Sequence, residues 1–465
     1  MCHNRPIPGL LILALLATAC GSDDPGGPGP TPPEFRQATV DANPFNRISG
    51  TVTITALRYD SAFVRFWTGS AGPSTTPTFG FGGDSVVQVP LFGLEPASVH
   101  SLEINLVAGQ MTDIADTVAF ATGFLPSWIP PMGAQGADTT GGVLLLSFPD
   151  GAVVVDNTAR VVWYRFFPNG NLNSVQAHAN GRYTLMSLAD PPDMRRFLVL
   201  DQFGAEVGEL QCVGWNTRFH DLMVLEGGDY WILCNEDRVM DLSALGGVSN
   251  ANVMGTVLQH VSPTGQILFE WKALDHFQIT DLPAGERAGP NVNFTHGNGM
   301  EFDSDGNLLL SFRSLDEITK VDVGTGQVIW RLGGLANQFT FLNDPKGGFE
   351  GQHGVRLVGP GEIQLLDNGF SAPSRLVRYR LDTGAMTADL VWEFIDSPTT
   401  WTRVGGSTQF YPSGKGLVSF GRAGRVVEVS PQGTPVWELT GLDGIYVFRA
   451  QRIGSLYFPG VDPTR

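Results

Sequence analysis

The chain has 465 residues, enough for a large core and for more than one domain. Its 58 glycines and 31 prolines, without long helical patterns, favour an all-β class. The formal charge of −17, with no run of Lys or Arg, argues against a nucleic-acid partner, because phosphate binding needs a basic footprint.

Residues 1–19 read as a targeting segment. Arg5 gives a positive start, Leu10 to Leu16 is an apolar run too short to span a bilayer, and Ala17-Thr18-Ala19 precedes Cys20. Small residues before a cysteine resemble a bacterial lipoprotein signal, with Cys20 lipidated as the new N-terminus and the protein anchored to a membrane. An ordinary secretory signal is the alternative. Either way the protein is expected to be exported, as a periplasmic or cell-surface protein. Removing residues 1–19 takes away Arg5 and no acid, so −17 becomes −18. Cys2 leaves with the signal and Cys20 carries lipid, so Cys212 and Cys234 remain. In an oxidising compartment they form either a disulfide or two buried thiols.

Residues 20–34 are a Gly/Pro/Asp tether with nothing to bury. Residues 35–123 read as a small β-sandwich, with alternating runs at Thr51–Leu57, Ala62–Trp67, Ser85–Val89, Ser101–Val107 and Asp116–Ala121. Leu94-Glu95-Pro96 followed by His100 resembles the corner before a late strand of fibronectin type III domains, with His100 where a tyrosine is usual. This module is read as a spacer or a dimerisation element, which leaves a homodimer open.

From Leu125 onward one pattern repeats. Apolar runs ending near a tryptophan recur at Trp163, Trp271, Trp330, Trp392 and Trp437. Val207–Leu210 fills the double gap between the first two as a degenerate copy, which makes six repeats. Asn293 to Gly334 shows the whole unit: four short runs, His296–Phe302, Leu308–Phe312, Ile318–Val323 and Val328–Leu332, joined by glycine-containing turns. Such a unit cannot bury its faces alone, and radial repetition solves that. The expectation is a six-bladed β-propeller over residues 124–465, with Ile445–Phe458 returning to complete the first blade.

The repeat also aligns the polar residues. His220, Asn298 and His353 each stand eight residues before a turn glycine, Gly228, Gly306 and Gly361, and His296 lies two before Asn298. Residues two apart in a strand share a face, so His296 is expected to point with Asn298. Seven residues after the same glycines come Asn235, Arg313 and Asn368. Equivalent positions on innermost strands converge on the propeller axis. His220, His296, Asn298, His353 and Arg313 are therefore expected at one mouth. A lone strand histidine is usually a hydrogen-bonded structural residue; three at matching positions beside an arginine are not explained that way. The other repeats carry Val143, Asn173 and Gly406 there. His178, at a turn, reads as structural, and His260 and His276 as incidental. Asn235 and Asn368 also fit as strand-end caps. Arg375, Arg403 and Arg449 are not placed by the repeat. Imidazoles suit zinc, copper or iron. However, no carboxylate joins the set and Arg313 would repel a cation, so the reading is an anion site with no metal and no cofactor. Phe219, Phe294, Trp401 and Phe410 are candidates to stack on a ligand ring or to pack.

These residues resemble the bacterial arylsulfate sulfotransferases. The likeness rests on Phe219-His220-Asp221, His296-Gly297-Asn298 with Ser311-Phe312-Arg313, Gln352-His353 with Leu366-Asp367-Asn368-Gly369, and the terminal Phe448-Arg449-Ala450-Gln451-Arg452. It implies a six-bladed propeller behind an N-terminal β-sandwich. It also implies transfer of a sulfuryl group from a phenolic sulfate donor to a phenol acceptor without a nucleotide sulfate. Carried over, His353 would be the nucleophile that becomes a sulfohistidine, and His220, His296, Asn298 and Arg313 would hold the sulfuryl oxygens, with ping-pong kinetics. The lipoprotein start, the weak first two blades and Gly297 depart from the family pattern. Against this stand a non-catalytic propeller lipoprotein that binds an anionic ligand or surface partner, and a metal-dependent propeller hydrolase or lyase.

Overall fold

A computed structural model describes residues 31–69, 72–137, 140–168 and 170–460; the expected signal, Cys20 and most of the tether lie outside them. The fold is nearly all β. Two sheets come first. One joins Glu34–Ala42, Gly50–Leu57 and Val86–Leu91. The other is built on Ser61–Trp67, Val99–Ala108 and Met111–Ala121. Alternate residues of both sheets, among them Val52, Ile54, Val64, Val89, Leu102 and Ile104, meet in one apolar core. His100 is buried there, and its Nε2 lies 3.1 Å from the Glu95 carbonyl oxygen, the tie a corner residue makes.

Among the described residues six further sheets follow, each built on an antiparallel meander; Asn291–Asn293 and Thr340–Leu342 add to two of them in parallel. Their inner strands are Ala450–Ile453, Leu172–Ala177, Asn216–Val224, Gly297–Phe302, His353–Gly359 and Ser407–Phe410, and each touches the next in that order, the last returning to Ala450–Ile453. Apolar clusters fill the junctions between neighbouring sheets all the way round. This is the arrangement of a β-propeller. The recurring tryptophans explain themselves here. Each sits on an outer strand and reaches toward the next sheet: Trp271 Nε1 donates to the Gly326 carbonyl and Trp437 Nε1 to the Asn157 carbonyl, while Trp163 stacks on Tyr183. A large ring with one polar corner fills the wedge that opens as blades splay outward.

Closure uses both ends of the chain. Ala450–Ile453 pairs antiparallel with Val143–Phe148 as the inner strand of the first sheet. Gly133–Gly136 pairs with Pro435–Thr440 at the outer edge of the last sheet, a strand the repeat pattern did not reveal. The position of Val143 is thereby corrected: it lies on a second strand, not an inner one. Among the described residues no helix is long and apolar enough to cross a membrane.

Candidate active site

At the entry ends of the inner strands the backbone departs from regular pairing. The register breaks between Thr217 and Leu222, between Gly297 and Gly299, and between His353 and Arg356. His296 precedes its strand and has φ +50°, and Gly354 has φ +62°. Such irregularities re-aim side chains that a flat ladder would point into the sheet. The expectation that strand alternation orients His296 is thus corrected: a left-handed residue does it. Gly297 has its own reason. A Cβ there would lie 2.7 Å from the Thr256 side chain, whose hydroxyl accepts a hydrogen bond from the Gly297 N–H at 2.8 Å.

The result is one cluster. His296 Nε2 and His220 Nε2 are 3.3 Å apart, and the rings of His220 and His353 lie 6.3 Å apart between centroids. Phe448 closes the group at 6.0 Å from His220 and 6.4 Å from His353. Arg313 is tied to the same place, its backbone N–H donating to the His296 carbonyl at 3.1 Å. Its guanidinium lies over Phe370 and donates to the Arg403 carbonyl. Asn298 is buried and donates to the Gln352 carbonyl at 2.6 Å, beside His353; its Oδ1 has no partner among the described residues.

The hydrogen bonds assign the tautomer of His353. Nδ1 faces two acceptors, Asn368 Oδ1 at 2.7 Å and the Gly351 carbonyl at 3.1 Å, so Nδ1 carries the proton and Nε2 keeps its lone pair. Asn368 is itself fixed, donating to the carbonyls of Thr402 and Gly405. Its role at the site is therefore to orient His353.

Burial keeps all three imidazoles uncharged. Desolvation pushes His353 down to about 4, against the opposing pull of the Asn368 hydrogen bond and with the help of Arg313. His220 is held well below its ordinary range by burial, then by His296 and Arg218; His296 is held down by burial, then by Arg218 and Arg313. No group of three His, Cys, Asp or Glu side chains among the described residues is arranged to hold a metal. The charges gathered around the imidazoles are guanidinium groups.

Below the histidines Asp221 ties three sheets together. It accepts from Gln176 at 2.7 Å, from the Met300 N–H at 3.1 Å and from Arg449 at 3.0 Å, and Arg449 also donates to the His220 carbonyl. Burial raises the Asp221 carboxyl, but Arg449 and Arg356 outweigh it and keep it below its ordinary range. Cys212 and Cys234 form a disulfide that flanks the start of the His220 strand.

Several candidates lie elsewhere. Phe294 is fully buried in the core between the third and fourth sheets, and Phe410 packs under Arg378 and lines a cavity at the far ends of the inner strands. Arg375 is buried in an ion network with Asp344, Asp367 and Glu393. Asn235 pairs with Asn216 in the ladder and lines a cavity with Cys212 and Trp215. Conversely, Arg218, Phe448 and Tyr446 belong near the cluster and were not singled out for it. Arg218 is buried with Nε and Nη2 unpartnered. It stands two residues before His220, a spacing that was available as a signal.

A ring of sheets presenting uncharged imidazoles and guanidinium groups at one mouth defines a β-propeller protein. Residues 211–442, which hold all five of the clustered or adjacent residues His220, His296, Asn298, Arg313 and His353, match the family model described as Arylsulfotransferase (ASST), and the chain belongs to the arylsulfotransferase family. Membership indicates an enzyme of the sulfotransferase type with phenolic substrates. No curated protein shows significant similarity to the sequence. Among solved structures, a protein of unknown function from Bacteroides caccae is 13% identical, covering 67% of this chain and 100% of its own, with a TM-score of 0.40. A catalytically inactive virginiamycin B lyase from Staphylococcus aureus is 10% identical over 66% of this chain and 88% of its own, with a TM-score of 0.38. The β-propeller domain of Cps50 (Swd1) from Myceliophteria thermophila is 13% identical over 70% of this chain and 92% of its own, also at 0.38.

Proposed function

We propose that the protein transfers a sulfuryl group from a phenolic sulfate ester to a phenol by way of a sulfohistidine at His353. The observation that carries this is the orientation of His353: Nδ1–H is fixed on two oxygens, which leaves a neutral, unprotonated Nε2 at the site. A neutral imidazole is a competent nucleophile. Its Nε2 forms a bond to sulfur as the sulfur–oxygen bond to the phenol breaks. In the second half the acceptor oxygen bonds to sulfur, the nitrogen–sulfur bond breaks, and the acceptor proton moves to the site. The kinetics are ping-pong.

By analogy with phosphoryl transfer, charge spreads over the non-bridging oxygens and the leaving phenoxide. Arg313, Asn298 and the His220–His296 pair are placed to stabilise it. A bound anion offsets the nearby guanidinium charges and raises the basicity of that histidine pair, which takes up a proton from water or from the acceptor phenol of the preceding turnover and passes it to the leaving oxygen.

We further infer that the six sheets are the blades of a six-bladed propeller, residues 124–465, behind a fibronectin-III/Ig-like sandwich, residues 35–123. Residues 1–19 would be a lipoprotein signal and 20–34 a tether from a lipidated Cys20, making the protein exported; a Cys212–Cys234 disulfide suits that compartment. The activity test is incubation with para-nitrophenyl sulfate and a phenol. Acceptor-dependent nitrophenol release is the expected result. Tight binding of the ester with no release under any acceptor would instead favour an anion-binding propeller without catalysis.

A further inference from the structure

The rim outside the histidines carries more positive charge than a single sulfuryl group needs. Arg313 lies over Phe370 at 5.2 Å, and Arg403 lies over Trp401 at 6.0 Å. Arg422 lies over Tyr446 at 5.6 Å, and Tyr446 is 6.2 Å from Phe448. These are one connected surface. The Arg403 carbonyl accepts from Arg313, Arg403 donates toward the Phe370 carbonyl, and the Arg422 N–H donates to Thr402, whose carbonyl holds Asn368. Neither Arg403 nor Arg422 forms an ion pair with a described carboxylate, and both are exposed. Beside them Trp401 and Phe370 are 45% and 39% exposed.

In a chain with 46 acids against 29 bases, unpaired guanidinium groups around one opening call for a reason. Other arginines of the ring are matched, among them Arg331 with Asp281 and Glu317, Arg375 with Asp344 and Asp367, and Arg425 with Asp396 and Glu438, while Arg218 and Arg378, unpaired among the described residues, are buried rather than open to a ligand. The acids close to the rim are already engaged or set back. Glu350 accepts from the Phe370 and Ser371 N–H groups, and Asp316 accepts from the Gly351 N–H. An exposed aromatic next to an uncommitted guanidinium presents two recognition elements at once, a face for a ring and a fork for a carboxylate or sulfate.

We infer that the rim formed by Trp401, Arg403, Arg422 and Tyr446 is a subsite for a second anionic group on the aromatic substrate. The substrates are then phenols or phenyl sulfates that bear a further carboxylate, sulfonate or sulfate on the side of the ring remote from the transferred group. The inference deepens the transfer reading and rests on it for the identity of the group seated at the histidines. The buried group is transferred at His353 while the outer anion stays at Arg403 and Arg422, so specificity and chemistry are separated along the axis of the mouth.

The test uses aryl sulfonates, whose carbon–sulfur bond is not transferred. Binding of benzenesulfonate and para-benzenedisulfonate to the whole protein is measured by calorimetry, at low and at physiological salt. The disulfonate should bind about ten-fold more tightly, with the difference shrinking at higher salt. In the Arg403→Gln, Arg422→Gln double variant the ratio of the two affinities should fall to about one. Circular dichroism and the melting temperature of the variant show that it is folded. Equal affinities in the wild-type protein, or a preference that survives both substitutions, would overturn the subsite. Turnover is read separately with para-nitrophenyl sulfate. A protein that prefers the disulfonate yet releases no nitrophenol sinks the transfer reading and leaves the subsite standing.

Discussion

The two ends of the central channel use the same six strands and treat charge in opposite ways. At the far ends a cavity of about 660 Å³ is lined by Asp221, Glu301, Arg356, Arg449 and Gln451. There acids and bases answer one another: Arg449 meets Asp221 at 3.0 Å, and Arg356 lies 3.7 Å from Asp221 and 3.8 Å from Glu301. At the entry ends His220, His296 and His353 are uncharged, and neither Arg218 nor Arg313 forms a contact ion pair with a described carboxylate. The far end is therefore electrostatically closed on itself, and the entry end is left for a ligand to complete. His220 and Asp221 are adjacent in sequence and face these two regimes, so one strand both presents an imidazole and anchors it.

The largest expected effect breaks the chemistry at one end only. His353→Ala should lower turnover of para-nitrophenyl sulfate by at least about a thousand-fold, whereas Glu301→Gln at the far end should stay within about two-fold. Comparable losses in both would erase the distinction between the ends. Next, Arg313→Gln should lower kcat by about a hundred-fold with a smaller change in KM, because its charge matters most when the transition state is most charged. A change confined to KM would make it a docking residue instead.

The pH profile sharpens the same contrast. As the proposed nucleophile His353 must be unprotonated, and burial has pushed it down to about 4 from an ordinary 6.5. Activity should therefore be insensitive to His353 between about pH 5 and 8, then fall about ten-fold per unit below about pH 4. The sign for stability follows. Unfolded imidazoles take up protons below about 6.5 while the folded ones resist, so acid in that window favours unfolding. A kcat/KM limb centred near the ordinary histidine value would show that His353 is not held neutral by burial. The smallest effect on catalysis is expected at the disulfide. Cys212 and Cys234 close a loop with a sequence separation of 22, and replacing both by serine should cost about 3 kcal/mol of stability, read as a lower melting temperature, with kcat changed less than about three-fold.

Much of the site was legible because the repeat supplies a ruler. Counting from Gly228, Gly306 and Gly361 brings His220, Asn298 and His353 to one level, and the return strand brings Arg313 and Asn368 back to it. The ruler fails where the chain leaves the ladder. His296 is turned by its own left-handed backbone, and no period encodes that. Phe448 and Tyr446 reach the cluster only because the C-terminal strand is drawn into the first sheet, a contact across more than 300 positions that local pattern does not carry. Gly133–Gly136 was missed for a related reason: four residues with two glycines look like a loop until an outer strand offers them an edge. Phe294 and Phe410 show the reverse error. An aromatic near a motif is as compatible with the packed face of a sheet as with the open one, and only the coordinates separate them.

The central claim is that His353 Nε2 takes the sulfuryl group before any acceptor arrives. The direct measurement is the intact mass of the protein after exposure to para-nitrophenyl sulfate alone, followed by peptide mapping under conditions that preserve a nitrogen–sulfur bond. The account predicts a single added sulfuryl group on the peptide containing His353, discharged when a phenol is added and absent in His353→Ala. Full turnover in the presence of acceptor with no adduct formed from donor alone, or an adduct on a different residue, would contradict it.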